Sequence, residues 1–272
     1  MRALASLVLV CGFALADDRL VQAFQQAVAA LNSGDYSSAE TGFQAVLRES
    51  PNHLPTLQNL GVVYSRTGRV REAIAIYQRA LPLRPKDPGL LFNLGVAYVK
   101  AESYRDAVAT FEELVEVEPG GSRLRDRDLL ERLAGGYLKQ NPSTEARASL
   151  ERFLAAVPSA TSDYFLGVAL MADSNYEEAA AHLEHAIELD AGSWSSYFYL
   201  AKARMQLRQP EAAAALLQKA AGLNPKSPEV FYELGRALKA AGRAEEAKSA
   251  MQRVRELRAL ELKQDAEALR KQ

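Results

Sequence analysis

The stretch Leu57-Gln58-Asn59-Leu60-Gly61-Val62-Val63-Tyr64 returns 34 residues later as Leu91-Phe92-Asn93-Leu94-Gly95-Val96-Ala97-Tyr98. Large residues at i, i+3 and i+7 lay one apolar stripe along a helix. Gly68 breaks that helix where a turn is wanted, and Ala73 to Ala80 begins a second one. Pro85 stops it, because proline cannot continue a helix and restricts the residue before it. Small residues at Gly61, Ala73 and Ala80 let the two helices cross closely, so each unit reads as a helical hairpin.

The hairpin can be followed outward in both directions. Ala39, Ala73, Ala107, Ala146, Ala179, Ala213 and Ala247 fall at intervals of 34, 34, 39, 33, 34 and 34 residues. Leu60, Leu94, Leu133, Leu166, Leu200 and Leu234 repeat the same intervals, and Pro51, Pro85, Pro119, Pro158 and Pro225 close most units. Seven units fit, starting near Leu20, Leu54, Pro88, Arg127, Ala160, Trp194 and Pro228. A hairpin of this size cannot bury its apolar face alone and must stack on its neighbours, which predicts an all-α solenoid and favours binding over chemistry.

These residues resemble the tetratricopeptide repeat family, in which an aromatic or leucine, Leu-Gly, Tyr, then Ala, an aromatic, Ala and Pro recur in 34 residues. Units two and three match nearly throughout, with Leu57, Leu60, Gly61, Tyr64, Ala73, Tyr77, Ala80 and Pro85 followed by Leu91, Leu94, Gly95, Tyr98, Ala107, Phe111 and Pro119. Unit six matches through Tyr197, Leu200, Ala201, Ala213, Leu217, Ala220 and Pro225. Unit one has Gln26-Ala27 in place of Leu-Gly but keeps Gly34, Tyr36, Ala39, Phe43 and Pro51. The resemblance implies a right-handed superhelical solenoid of stacked antiparallel helix pairs used for protein–protein recognition. It also implies that the first helix of each unit lines a concave groove.

Along that first helix one recurrent position holds Phe24, Gln58, Phe92, Glu131, Tyr164, Phe198 and Tyr232. One turn on stand Val28, Val62, Val96, Gly135, Val168, Lys202 and Arg236, with Lys239 beyond. Phe24, Gln58, Phe92, Val96, Tyr164, Phe198, Lys202, Tyr232, Arg236 and Lys239 are therefore the expected partner-binding residues. The groove should be apolar for much of its length and basic toward the carboxyl end. Aromatic rings there would supply contact area at low entropic cost, as binding hot spots do. Some members of the family hold a terminal carboxylate with Lys, Asn and Arg. Here Asn59, Asn93 and Arg132 match, whereas Phe24, Gln58, Val28, Val62 and Asp128 depart, so no such ligand is expected and the asparagines should bond between stacked units.

Composition sets outer limits. The 272 residues are 48% apolar and 25% charged with a net charge of −1, which argues against nucleic acid, whose binders need a clustered basic field. Residues 1–16 read as a secretory signal, with Arg2, an apolar run from Ala3 to Leu15 and Ala14-Leu15-Ala16 as the cleavage site. The apolar run is too short to span a membrane comfortably, so the expectation is export to a bacterial periplasm or beyond, with no integral membrane segment after cleavage. Val8-Leu9-Val10 ahead of Cys11 disfavours a lipoprotein, and cleavage after Ala16 leaves no cysteine.

Residues 17–257 are then one repeat array, and 258–272 extend a terminal helix whose Leu257, Leu260 and Leu269 suit a cap. Five extra residues after Pro119 make a basic connecting loop with Arg123, Arg125 and Arg127. Catalysis finds no footing: there is no phosphate loop, nucleophile elbow or activated serine. His182 and His185, with Glu178 and Glu188 a turn away, read as a solvated helix face rather than a metal site, and His53 as a surface turn residue. No cofactor and no metal are expected. The expected function is a non-enzymatic scaffold or adaptor. The alternative is a structural subunit of an envelope assembly that docks through its convex face or terminal helix.

Overall fold

The computed structural model describes residues 18–140 and 144–269, so the signal expected over residues 1–16 lies outside the described residues. Every α-helix among them belongs to a run of fourteen, and no strand is present among the described residues. None of these helices is long and apolar enough to cross a membrane. The chain divides into two compact units, residues 1–123 and 124–272, where the sequence reading treats the array as continuous. The division falls in the lengthened interval after Pro119, beside Gly120 and Gly121, both at positive φ.

In the first unit α1 covers 18–32, followed by α2 (Tyr36–Glu49), α3 (Leu54–Arg66), α4 (Val70–Ala80), α5 (Pro88–Lys100) and α6 (Tyr104–Val117). The second holds α7 (Arg127–Gln140), α8 (Thr144–Ala155), α9 (Ala160–Ala172) and α10 (Tyr176–Leu189). It continues with α11 (Trp194–Gln206), α12 (Pro210–Leu223), α13 (Pro228–Ala240) and α14 (Ala244–Leu269). Sequential neighbours pack as pairs, among them α3 on α4, α5 on α6, α9 on α10, α11 on α12 and α13 on α14.

Local chemistry sets the helix starts. Asp35, Asp87, Ser159, Ser193 and Ser227 each accept a backbone N–H of the first turn, satisfying a donor that the helix itself leaves orphaned. Wherever its residues are described, the turn inside a hairpin demands a left-handed residue. Gly34, Gly68 and Gly242 meet that demand, while Glu102, Ser174 and Arg208 adopt it with a side chain at φ 58°, 60° and 59°.

The Leu-Gly pair is a knob-and-hole device. A Cβ at Gly61 would stand 2.3 Å from Cε1 of Tyr77, and one at Gly95 equally close to Cε1 of Phe111. Gly167 receives Leu183 and Gly235 receives Met251 in the same manner. Each large side chain of a second helix thus seats on a bare stretch of the first, and Tyr77 and Phe111 are fully buried. The marker alanines Ala39, Ala73, Ala107, Ala179 and Ala213 are completely buried for the same reason of close approach.

The first helix departs where it lacks an upstream neighbour among the described residues. Gln22, Gln26 and Ala29 are exposed, whereas their register mates Thr56, Leu60 and Val63 are buried. At the other end Ala247, Ala250, Val254 and Leu257 of α14 are buried. Leu260, expected to serve the cap, is instead half exposed, because α14 has by then run past the end of α13.

Candidate functional site

The expected binding residues separate into groups. In the first unit Phe24 is partly buried, tilted against Phe43 at 6.0 Å and meeting the edge of His53 at 5.3 Å. Gln58 reaches Asp87 Oδ1 at 3.4 Å, Phe92 lies 6.4 Å from Phe111, and Val96 is half-buried. His53 accordingly does more than occupy a turn: its Nδ1 also meets Thr56 Oγ1 at 2.6 Å. Asn59 donates to Pro55 O of its own helix at 2.8 Å, which corrects the expectation of a bond between units.

In the second unit Tyr164, Phe198 and Lys202 converge on Tyr199, a residue the register reading passed over. Tyr164 and Tyr199 meet edge to face at 5.6 Å, and Phe198 meets Tyr199 at 5.4 Å. Lys202 Nζ stands 5.4 Å over the Phe198 ring and 5.2 Å over Tyr199, within cation–π range. Phe198 is 3% exposed and is corrected here from a groove residue to a core one. It shares a cluster with Ala213, Ala214 and Leu217, because the alanine-rich α12 lies close enough to cover the ring. Tyr232, Arg236 and Lys239 line the exposed side of α13, where Arg236 bonds Glu233 at 3.0 Å and so brings no net positive charge.

Beside this aromatic group lies a small recess of about 20 Å³ lined by Thr161, Tyr164, Ser193, Ser195 and Ser196 with Arg127, Glu131 and Asp190. Arg127 donates to Glu131 Oε1 at 2.8 Å and to Asp190 Oδ2 at 3.1 Å, which fixes the rim. Burial, and next the Tyr199 hydroxyl, hold the Tyr164 phenol above its usual range, so it stays a neutral donor. Ser193 and Ser196 are buried and bond each other at 2.7 Å, so the partly accessible Thr161 and Ser195 are the hydroxyls that can meet an amide backbone, and the rings beside them offer apolar contact. The run Ser193-x-Ser195-Ser196 is the sequence signal for this wall, and it lies off the one-per-turn register of the first helices.

A second polar cluster joins α9 to α10. Asp163, 7% exposed, receives His182 Nδ1 on Oδ1 at 2.9 Å and His185 Nδ1 on Oδ2 at 2.8 Å. The two histidines are therefore not a merely solvated face. The signal was legible: Asp163 holds the register of Leu57, Leu91 and Leu130, all buried, and a carboxylate there needs donors. Close by, Glu151 of α8 has a buried Oε1 without a hydrogen-bond partner. Burial, then the carboxylates of Asp173 and Glu178, hold the Glu151 carboxyl above the ordinary range.

A raised folded-state pKa means the group's stabilising contribution is complete below the unfolded value and is lost as pH rises through the folded one. Glu151→Gln is therefore expected to raise Tm at neutral pH. The gap to the parent should close as pH falls through the carboxylate range, as read by thermal melts across a pH series.

The tetratricopeptide repeat profile matches residues 30–94, 68–133 and 205–265, and a second tetratricopeptide profile matches 131–193. The photosystem I assembly protein Ycf3 of Prochlorococcus marinus is 35% identical over 68 residues, 24% of this chain and 39% of that one. Its Synechococcus counterpart is 32% identical over the same length and share. The chain thus spans about two fifths of the length of these relatives. A tetratricopeptide repeat protein from Parabacteroides merdae superposes with a TM-score of 0.50 at 18% identity, covering 88% of this chain and 93% of that structure, a likeness of fold.

Proposed function

Because the chain belongs to the tetratricopeptide repeat family, we propose that it is a non-enzymatic adaptor that holds an extended segment of a protein partner against the first-helix face. The observation carrying this reading is the group of Tyr164, Tyr199 and Lys202 beside the hydroxyl-lined recess. Rings supply apolar area, the Thr161 and Ser195 hydroxyls pair with the partner's backbone, and Lys202, without an ion pair among the described residues, suits a carboxylate on that segment. The basic start and apolar run of residues 1–16 support an exported protein that meets this partner outside the cytoplasm.

The purified chain immobilised beside a Tyr164→Ala/Tyr199→Ala/Lys202→Glu variant of equal helicity tests this on an envelope extract. Partner retention should fall by more than about tenfold, as for a hot-spot cluster. Equal retention would overturn the groove reading. A second reading draws on Leu260 and Leu262, which stand 51% and 71% exposed on α14: docking through the terminal helix into a larger assembly. Truncation after Leu257 would then abolish retention and the groove variant would not.

A further inference from the structure

The cluster of Asp163, His182 and His185 has a use beyond joining two helices. An ionised carboxylate only accepts hydrogen bonds, so both Nδ1 atoms that meet Asp163 carry hydrogen. In the neutral imidazoles the lone pair then sits on Nε2 in each ring. Neither Nε2 has a hydrogen-bond partner among the described residues. The two rings lie one helical turn apart on α10, with side chains 33% and 53% exposed. A carboxylate behind each imidazole is the outer-sphere arrangement that fixes the tautomer and raises the basicity of a metal-binding histidine.

Charge points the same way. Glu151 interacts electrostatically with His182, Asp173 and Glu178, and its buried Oε1 is unpartnered. Arg147 also acts on Glu151, and it bonds Asp173. Asp163 and Glu151 thus set two carboxylates against His182. No three His, Cys, Asp or Glu side chains of the described residues are gathered round one point, so the protein offers two ligands and water fills the rest.

We propose that His182 and His185 chelate one borderline divalent transition-metal ion through their Nε2 atoms, with Asp163 as the shared outer carboxylate. Imidazole suits copper(II), nickel(II) and zinc(II), and copper(II) should bind tightest. Glu151 contributes charge and is not a ligand.

Isothermal titration of the full chain with each chloride salt in turn, in a non-chelating buffer, tests the site. One ion per chain is expected, with affinity ordered copper above nickel and zinc. His182→Gln/His185→Gln should abolish that stoichiometric event, while His53→Gln should leave it unchanged. Asp163→Leu, which gives the residue type of Leu57, Leu91 and Leu130, should keep the helicity and weaken binding by about tenfold or more. Copper(II) should also give a visible absorption band in the parent that the double variant lacks. No stoichiometric binding by the parent, or equal binding by the double variant, would overturn the site. Unaltered affinity in Asp163→Leu would overturn the outer-sphere role of the carboxylate.

Discussion

Phe111→Ala is expected to cost about 3–5 kcal/mol of unfolding free energy, among the largest losses available to one substitution in this chain. The ring is fully buried and fills the hollow left by Gly95, where a Cβ would stand 2.3 Å from Cε1. Gly95→Ala alone should cost about 1–3 kcal/mol, since a packed ring cannot retreat as the end of a flexible chain would. The two positions meet, so their effects should not add. Gly95→Ala/Phe111→Ala should fall short of the sum by about 1 kcal/mol or more, because the new methyl enters space that the lost ring vacates. Urea titrations followed by circular dichroism would read all three values. Additive costs would mean that the hairpins are not held by this contact.

Leu91→Asp is expected to be about as damaging, at roughly 3–5 kcal/mol, because it buries a charge without donors. The register mates of His182 and His185 in that hairpin are Thr110 and Glu113, so the new carboxylate would face a second acid. Leu91 is 1% exposed and water cannot substitute for the missing partners. The reverse change, Asp163→Leu, should remain within about 1 kcal/mol of the parent, since it exchanges a paired buried carboxylate for the side chain that units two to four carry as Leu57, Leu91 and Leu130. The triple variant Leu91→Asp/Thr110→His/Glu113→His should recover most of the loss by transplanting both donors. Thermal melts of the four proteins decide this. A triple variant no more stable than Leu91→Asp would show that the imidazoles do not compensate the buried carboxylate.

These two experiments mark how far the sequence could be read. The 34-residue interval exposed Gly61 and Gly95 as small residues in a close crossing, and it exposed Tyr77 and Phe111 as their large counterparts. Repetition made them legible, because each unit solves the same packing problem with the same residues. The candidate binding residues were harder. Phe24, Phe92 and Tyr164 were found by register and remain at least partly accessible, but Phe198 at the same register is core. The difference lies on another helix: α12 is rich in alanine and closes over the ring, and no count along α11 alone reveals it.

The sequence by itself determined an all-helical chain of stacked hairpins and its family, because periodic burial is a local property that every unit states again. Tertiary structure alone decided which side chains meet across helices. It set Tyr199 beside Tyr164 and Lys202, closed the serine-rich recess at the start of α11, and brought Asp163 against His182 and His185. Such contacts depend on helix separation and side-chain direction in three dimensions, and those are fixed by the volumes of all the neighbours together.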